Sequence, residues 1–146
     1  MVRSALGAAF QLEGFPANRS GLLGLSGFND LRDVENAHEK GDKKASLALE
    51  VYAHSVRHYL GAYLVLLGGA DAIVFTGGIG ENSVAMRSAI CANLDWFGIQ
   101  LNAQKNAAAK GEMRIDAPDS SVQLWIMPTN EELIVARQAR ACLQEK

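Results

Sequence analysis

Phe75-Thr76-Gly77-Gly78-Ile79-Gly80-Glu81-Asn82 is the stretch that decides how this chain is read. It follows the apolar run Ala72-Ile73-Val74-Phe75 and precedes a helix-like segment, residues 83–94. Strand, glycine-rich turn and helix start, in that order, leave main-chain N–H groups unpaired at a helix N-terminus. Hydrogen bonding and the helix dipole both favour an anion there, phosphate above all. Glycine lets a ligand approach the backbone closely and accepts positive φ. The expectation is a nucleotide site. The spacing is not Walker A, because no Gly-Lys-Ser/Thr follows, and it lacks the full Gly-x-Gly-x-x-Gly fingerprint. The competing reading is a tight strand-to-helix connection whose glycines only relieve crowding.

Two other blocks bear on that choice. Val122-Gln123-Leu124-Trp125-Ile126-Met127 reads as a second strand and runs into Pro128-Thr129-Asn130-Glu131-Glu132-Leu133. A helix then continues through Ile134, Val135, Ala136, Ala139 and Leu143. Upstream, Ser20-Gly21-Leu22-Leu23-Gly24-Leu25-Ser26-Gly27 leads into Asp30-Leu31-Arg32-Asp33-Val34. The three blocks, in this order and at these separations, resemble the C-terminal part of the acetate kinase family, which includes the propionate kinases. The resemblance covers residues 20–146 and is far more specific than any one block.

Composition narrows the classes. With 146 residues and 49% hydrophobic content, the chain is of single-domain size and can bury one core. A formal net charge of −2 with scattered lysines and arginines supplies no basic field for nucleic acid. Cys91 and Cys142 stand at no metal-ligand spacing and read as two buried thiols in a reducing compartment. The longest apolar stretch, residues 63–75, is broken by Gly68, Gly69 and Asp71 and is shorter than the ~20 residues a bilayer needs. The N-terminal residues show no convincing cleavage pattern, so a cytoplasmic protein is expected.

Along the chain, residues 1–19 diverge from the family pattern, and residues 20–146 read as a truncated C-terminal nucleotide-binding domain of the acetate kinase type. Residues 20–36 are expected to be largely irregular and residues 35–42 a polar connector. Asp42 is placed as the N-cap of a long helix. Leu49, Tyr52, Val56, Leu60 and Tyr63 form its expected buried stripe at helical period. From Tyr63 the helix is apolar all round, which points to full burial or a partner surface, and Gly68-Gly69 stops it. The two strands and the helix between them predict a β-α-β unit with an insertion. The insertion holds Phe97-Gly98-Ile99-Gln100-Leu101, an alanine-rich helix over 103–110 and a short strand at Met113-Arg114-Ile115. The fold class is α/β, a mostly parallel short sheet with covering helices. The resemblance implies a partial ribonuclease H-like, actin-like ATPase domain.

The resemblance also implies roles. Gly78, Ile79, Gly80, Glu81 and Asn82 would lie against the adenosine and phosphates of ATP or ADP, with Asn82 or Ser83 capping the following helix. Asp30, Leu31 and Arg32 would contact adenosine, the carboxylate accepting from ribose and the guanidinium stacking on the purine. The alternative for that pair is an exposed charge pair of little energetic weight. Glu131 would hold Mg2+, which takes only one or two protein carboxylates. Thr129 and Glu132 fit a capping box, which needs no catalysis. His54 and His58 lack a third ligand and read as surface or interface residues, and His38 reads as solvated.

In the family, the acetate pocket, the essential arginines, a histidine, an aspartate, the second metal ligand and two phosphate loops lie upstream of the region matched. The implied activity is reversible ATP-dependent phosphorylation of acetate to acetyl phosphate, with no catalytic residue assigned in this stretch and the stretch inactive alone. The alternative is a non-catalytic adenine-nucleotide-binding or dimerisation module. Implied partners are ATP, acetate or propionate, and either a second copy or a complementing N-terminal domain, with no nucleic acid or membrane.

Overall fold

The computed structural model describes residues 20–144, the side chains of Glu131 and Ile134 excepted. The chain divides after Gly69 into two compact units, each with its own core. Residues 1–19, expected to diverge from the family pattern, lie outside the described residues.

Among the described residues, the first unit holds three helices, α1 (Gly21–Ser26), α2 (Leu31–Glu39) and α3 (Lys43–Leu67). Residues 20–36 are therefore helical rather than irregular, and the connector expected over 35–42 is largely the end of α2. The glycines concealed this. Gly27, left-handed at φ 84°, ends α1 and lets α2 begin four residues later behind its cap, Asp30. Leu31 and Val34, one turn apart, bury the inner face of α2. His38, expected in solvent, is exposed, on the last turn of α2 with Nδ1 2.8 Å from Ser46 Oγ.

Helix α3 starts where the sequence places it. Asp42 Oδ1 accepts from the N–H groups of Lys44 (2.7 Å) and Ala45 (3.2 Å), and left-handed Gly68 closes the far end. Its buried line is Ala45, Ala48, Leu49 and Ala53, at helical period but built mainly from alanine. Of the expected stripe only Leu49 is buried, while Tyr52, Val56 and Leu60 are half-buried and Tyr63 is exposed. Small side chains let α1 and α2 lie close, so the larger residues fall to the margin of the contact. The apolar end is not buried within the unit: Val65, Leu66 and Leu67 are 81%, 78% and 74% exposed.

The second unit runs β1 (Ala72–Phe75), α4 (Gly77–Asn82), α5 (Val84–Cys91), a 3-10 turn at Asp95–Phe97, α6 (Ala103–Ala108), β2 (Met113–Arg114), β3 (Gln123–Ile126) and α7 (Glu131–Gln144). The sheet order is β1-β3-β2. Strands β1 and β3 pair in parallel, with Ile73 opposite Leu124 and Phe75 opposite Ile126. Strand β2, from the insertion, pairs antiparallel to β3 because only a short return separates them. The β-α-β unit is thus present, with an antiparallel strand on its edge. Phe75, Leu124 and Ile126 face the core with Met86, Ile90, Ile99 and Ile115. Cys91 is buried but Cys142 is exposed, and no disulfide joins them.

Replacing Asp42 by alanine removes the acceptor for two amide groups at the start of α3. The expected loss is about 1 kcal/mol of unfolding free energy, read by urea denaturation. Asp42→Asn, which can still cap, is expected to lose less than half of that.

Candidate nucleotide site

The parallel pair β1/β3 ends at Phe75 and Ile126, and Met127 N–H continues the ladder onto Phe75 O at 3.0 Å. The segments leaving both strands therefore emerge on the same edge of the sheet. In open α/β sheets that carboxyl edge is where ligands are held. One of these segments is the glycine run and the other is Pro128-Thr129-Asn130.

After extended Thr76, the chain enters a left-handed residue, Gly77 (φ 72°), and winds directly into the six-residue α4. The glycine run expected as a turn is itself the short helix α4; Ser83 closes it and caps α5, the helix expected over 83–94, with Oγ accepting from Met86 N–H at 3.0 Å. Helix α5 stops at Cys91, short of Leu94. The three glycines differ in role. A Cβ built on Gly77 or Gly78 would meet nothing within 4 Å, so the main chain there faces open space. A Cβ on Gly80 would lie 3.1 Å from the backbone carbon of Phe75. Gly80 is thus explained by helix-to-strand packing, whereas Gly77 and Gly78 leave room for a ligand.

The side chains of α4 are turned inward on the helix itself. Asn82 Nδ2 donates to Gly78 O at 2.8 Å. Glu81 Oε1 accepts from Gly77 N–H at 2.9 Å, from Thr129 N–H at 2.9 Å and from Thr129 Oγ–H at 3.2 Å. Those contacts, Thr129's amide foremost, hold the Glu81 carboxyl below the usual carboxylate range. One of the amides expected to greet phosphate is accordingly already engaged by a carboxylate.

Arg87 and Asn106, which the sequence reading passed over, fix the other end of α4. Arg87 is 1% exposed, and its guanidinium donates to Gly80 O and Glu81 O, both at 2.9 Å. It also donates to Asn106 Oδ1 at 2.6 Å and Asn106 O at 3.2 Å. Asn106 Nδ2 in turn donates to Val84 O and Ser88 Oγ, each at 3.0 Å. Burial lowers the Arg87 pKa, yet a guanidinium stays protonated. Its charge is met by carbonyl oxygens at the ends of α4 and α6, where the helix dipole is negative. Nothing in the spacing of Arg87 and Asn106, 19 residues apart, announces this pairing.

In the first unit, Asp30 and Arg32 stand together at the start of α2. Asp30 Oδ1 accepts from Arg32 N–H at 2.9 Å and Nε–H at 3.0 Å, and Oδ2 accepts from Nη2 at 2.6 Å. Arg32 remains 84% exposed at its side chain. Leu31 is buried, so its side chain is not offered to a ligand.

At the start of α7, Asn130 is the cap, with Oδ1 accepting from Leu133 N–H at 3.0 Å. The capping box expected at Thr129 and Glu132 does not form: both Thr129 donors go to Glu81, and Glu132 is exposed. Glu131 opens α7, but its side chain lies outside the described residues. Among the described residues no three His, Cys, Asp or Glu side chains cluster into a metal cage. A single carboxylate with waters is the arrangement magnesium ordinarily accepts. His54 and His58 likewise gather no third ligand among the described residues.

Residues 7–137 match the family model described as Acetokinase family. The acetate kinase of Dictyoglomus turgidum is 48% identical over 137 residues, covering 93% of this chain and 34% of that protein. The crystal structure of Porphyromonas gingivalis acetate kinase superposes with a TM-score of 0.78 at 38% identity, covering 86% of this chain and 32% of that one. A propionate kinase from Francisella tularensis gives a TM-score of 0.74 at 40% identity, covering 81% of this chain and 30% of that one. The chain spans about a third of the length of the curated relatives it matches. Its α/β arrangement is that of acetate kinase structures, an actin-like ATPase-type fold.

Two outcomes follow. Arg87→Met removes the guanidinium donors to four acceptors, two of them buried and two part-buried, and each buried group left orphaned costs on the order of 1–3 kcal/mol; calorimetric melting should show a far larger loss than in Arg87→Lys. The Asp30 carboxyl is lowered from 3.8 to about 2 by its bonds to Arg32. A depressed carboxylate favours the fold above its unfolded pKa and loses that contribution as pH falls from 3.8 toward about 2. Asp30→Asn should therefore flatten the acid limb of the stability–pH curve in that window, and an unchanged limb contradicts the assignment.

Proposed function

The chain belongs to the acetokinase family, and from that premise we propose that it serves ATP-dependent phosphorylation of acetate, ATP + acetate ⇌ ADP + acetyl phosphate, by supplying adenine-nucleotide contacts. The observation that carries the reading is the open main chain at Gly77 and Gly78, at the carboxyl edge of the parallel pair. In this unit Gly78, Ile79, Gly80 and Asn82 are proposed to lie along the nucleotide, with Glu81 contributing its main chain. In the first unit Asp30 and Arg32 are proposed as adenosine contacts, with Leu31 backing them from the core. Glu131 is proposed to hold magnesium, which when bound supplies charge neutralisation at the phosphate oxygens. No catalytic residue is assigned, and this stretch alone is proposed to be inactive toward acetate. A cytoplasmic location goes with the same reading.

A second reading has an observation of its own. Tyr59 and Tyr63 are 64% and 60% exposed and lead into the exposed Val65, Leu66 and Leu67. Such an apolar helix end marks an interaction surface. A second copy or the remainder of an acetate kinase chain is the proposed occupant, and a nucleotide-binding or dimerisation module without turnover would use the same surface.

Calorimetric titration with ATP and Mg2+ is the test. Gly78 has room for a side chain and no left-handed strain, so Gly78→Val reports on ligand approach rather than on folding. The reading predicts that Gly78→Val and Arg32→Ala each weaken ATP by about tenfold or more. Equal affinity in wild type and both variants removes the nucleotide assignment. Acetyl phosphate formation by the chain alone is expected to be absent, and turnover would overturn the placement of the catalytic groups outside this stretch.

A further inference from the structure

Glu81 joins two segments that are 48 residues apart in sequence. A single oxygen, Oε1, receives Gly77 N–H, Thr129 N–H and Thr129 Oγ–H within 3.2 Å. Gly77 is the first residue of α4, and Thr129 stands two residues before the first residue of α7. We propose that Glu81 is a positioning residue, a latch that ties the start of the glycine helix to the start of α7 and so sets the two ligand-facing segments at one spacing.

The chemistry favours a tie over ligand contact. An ionised carboxylate is an acceptor only, and hydrogen bonds to it are shorter and roughly twice as strong as neutral ones. The lowered pKa agrees with a group held in its charged form by these donors. A carboxylate seated on Gly77 N–H also repels an incoming phosphate at that amide, which leaves Gly78 as the first amide available to a ligand. Glutamate has the reach for this and aspartate does not: from the fifth position of α4 the side chain spans back one turn to Gly77 and across to Thr129. Thr129 is matched to the role, since it presents two donors to one oxygen. The tie works on segments that bury little surface of their own. Thr129 and Asn130 are exposed, and α4 buries no residue of its own.

The contact is observed directly in the structure; its consequence for nucleotide and metal rests on the function proposed above. The experiment separates the two. Amide hydrogen exchange of the full chain is followed in wild type, Glu81→Gln, Glu81→Ala and Thr129→Val. The latch predicts that Glu81→Ala speeds exchange at Gly77, Thr129 and residues 130–133 by about tenfold, with β1 and β3 unchanged. Glu81→Gln, which keeps the reach and one acceptor oxygen, should recover part of the protection. Melting temperatures of Glu81→Ala, Thr129→Val and the double variant should be non-additive. Unchanged exchange at 129–133 in Glu81→Ala, or additive melting shifts, overturns the latch. The second readout is the gain in ADP affinity on adding Mg2+, which a merely stabilising contact would leave alone. Glu81→Ala is expected to lose most of that gain, read as the ratio of ADP affinities with and without Mg2+ so that any change in metal-free binding cancels. An unaltered magnesium gain overturns the coupling of the two segments. Absence of ADP binding in wild type overturns the function proposed above, and the exchange and melting results then decide the latch by themselves.

Discussion

The parallel register that sets Phe75 opposite Ile126 is the constraint on which the second unit depends. Parallel strands run in one direction, so the chain leaves both at the same edge, and a crossover must carry it back between them. That crossover contains α4, α5 and α6, while the return through β2 supplies the sheet's antiparallel edge. The glycine run and the Thr129–Asn130 entry into α7 become neighbours because of this register. A slip of β3 by one residue would turn Leu124 and Ile126 from the core toward the other face. The apolar pairs Ile73–Leu124 and Phe75–Ile126 therefore fix the geometry of the candidate site as well as the core.

On that edge a six-residue helix that is half glycine has little stability of its own, since short helices are marginal and glycine is costly within them. Its ends are held by charge. At its C-terminal end the Arg87 guanidinium collects the carbonyls of Gly80 and Glu81, and at its N-terminal end the Glu81 carboxylate receives the Gly77 amide. Positive charge sits at the carbonyl end and negative charge at the amide end, the sense the peptide dipole favours. The open space over Gly77 and Gly78 persists between those two clamps. Among the described residues every buried side-chain nitrogen or oxygen has a partner, so this polar interior is a satisfied one.

What was legible in the sequence was local. The Asp42 cap, the glycine stop at Gly68, the two parallel strands and the helix after Asn130 all announce themselves through residues close in the chain. Three readings failed for reasons beyond neighbouring residues. The helices over residues 20–39 were hidden because glycines that end helices resemble glycines that prevent them. The buried face of α3 was misplaced because close helix packing selects alanine over the larger residues that periodicity highlights. At Thr129 a capping-box pattern lost to a carboxylate 48 residues upstream, which no local rule detects. Arg87 and Asn106 were missed for the same reason, since an arginine in a short helix ordinarily faces solvent and only tertiary structure brings the second residue to it.

The central claim is that a nucleotide is held along the carboxyl edge shared by β1 and β3. Amide chemical-shift mapping of the isotopically labelled chain, titrated with Mg2+·ADP, tests it most directly. The account predicts perturbations concentrated in the second unit at residues 77–82 and 127–131, with Asp71 and residues 121–123 at the opposite ends of the strands left unmoved. Perturbations gathered at those opposite ends, or none at residues 77–82 at saturating nucleotide, would contradict it.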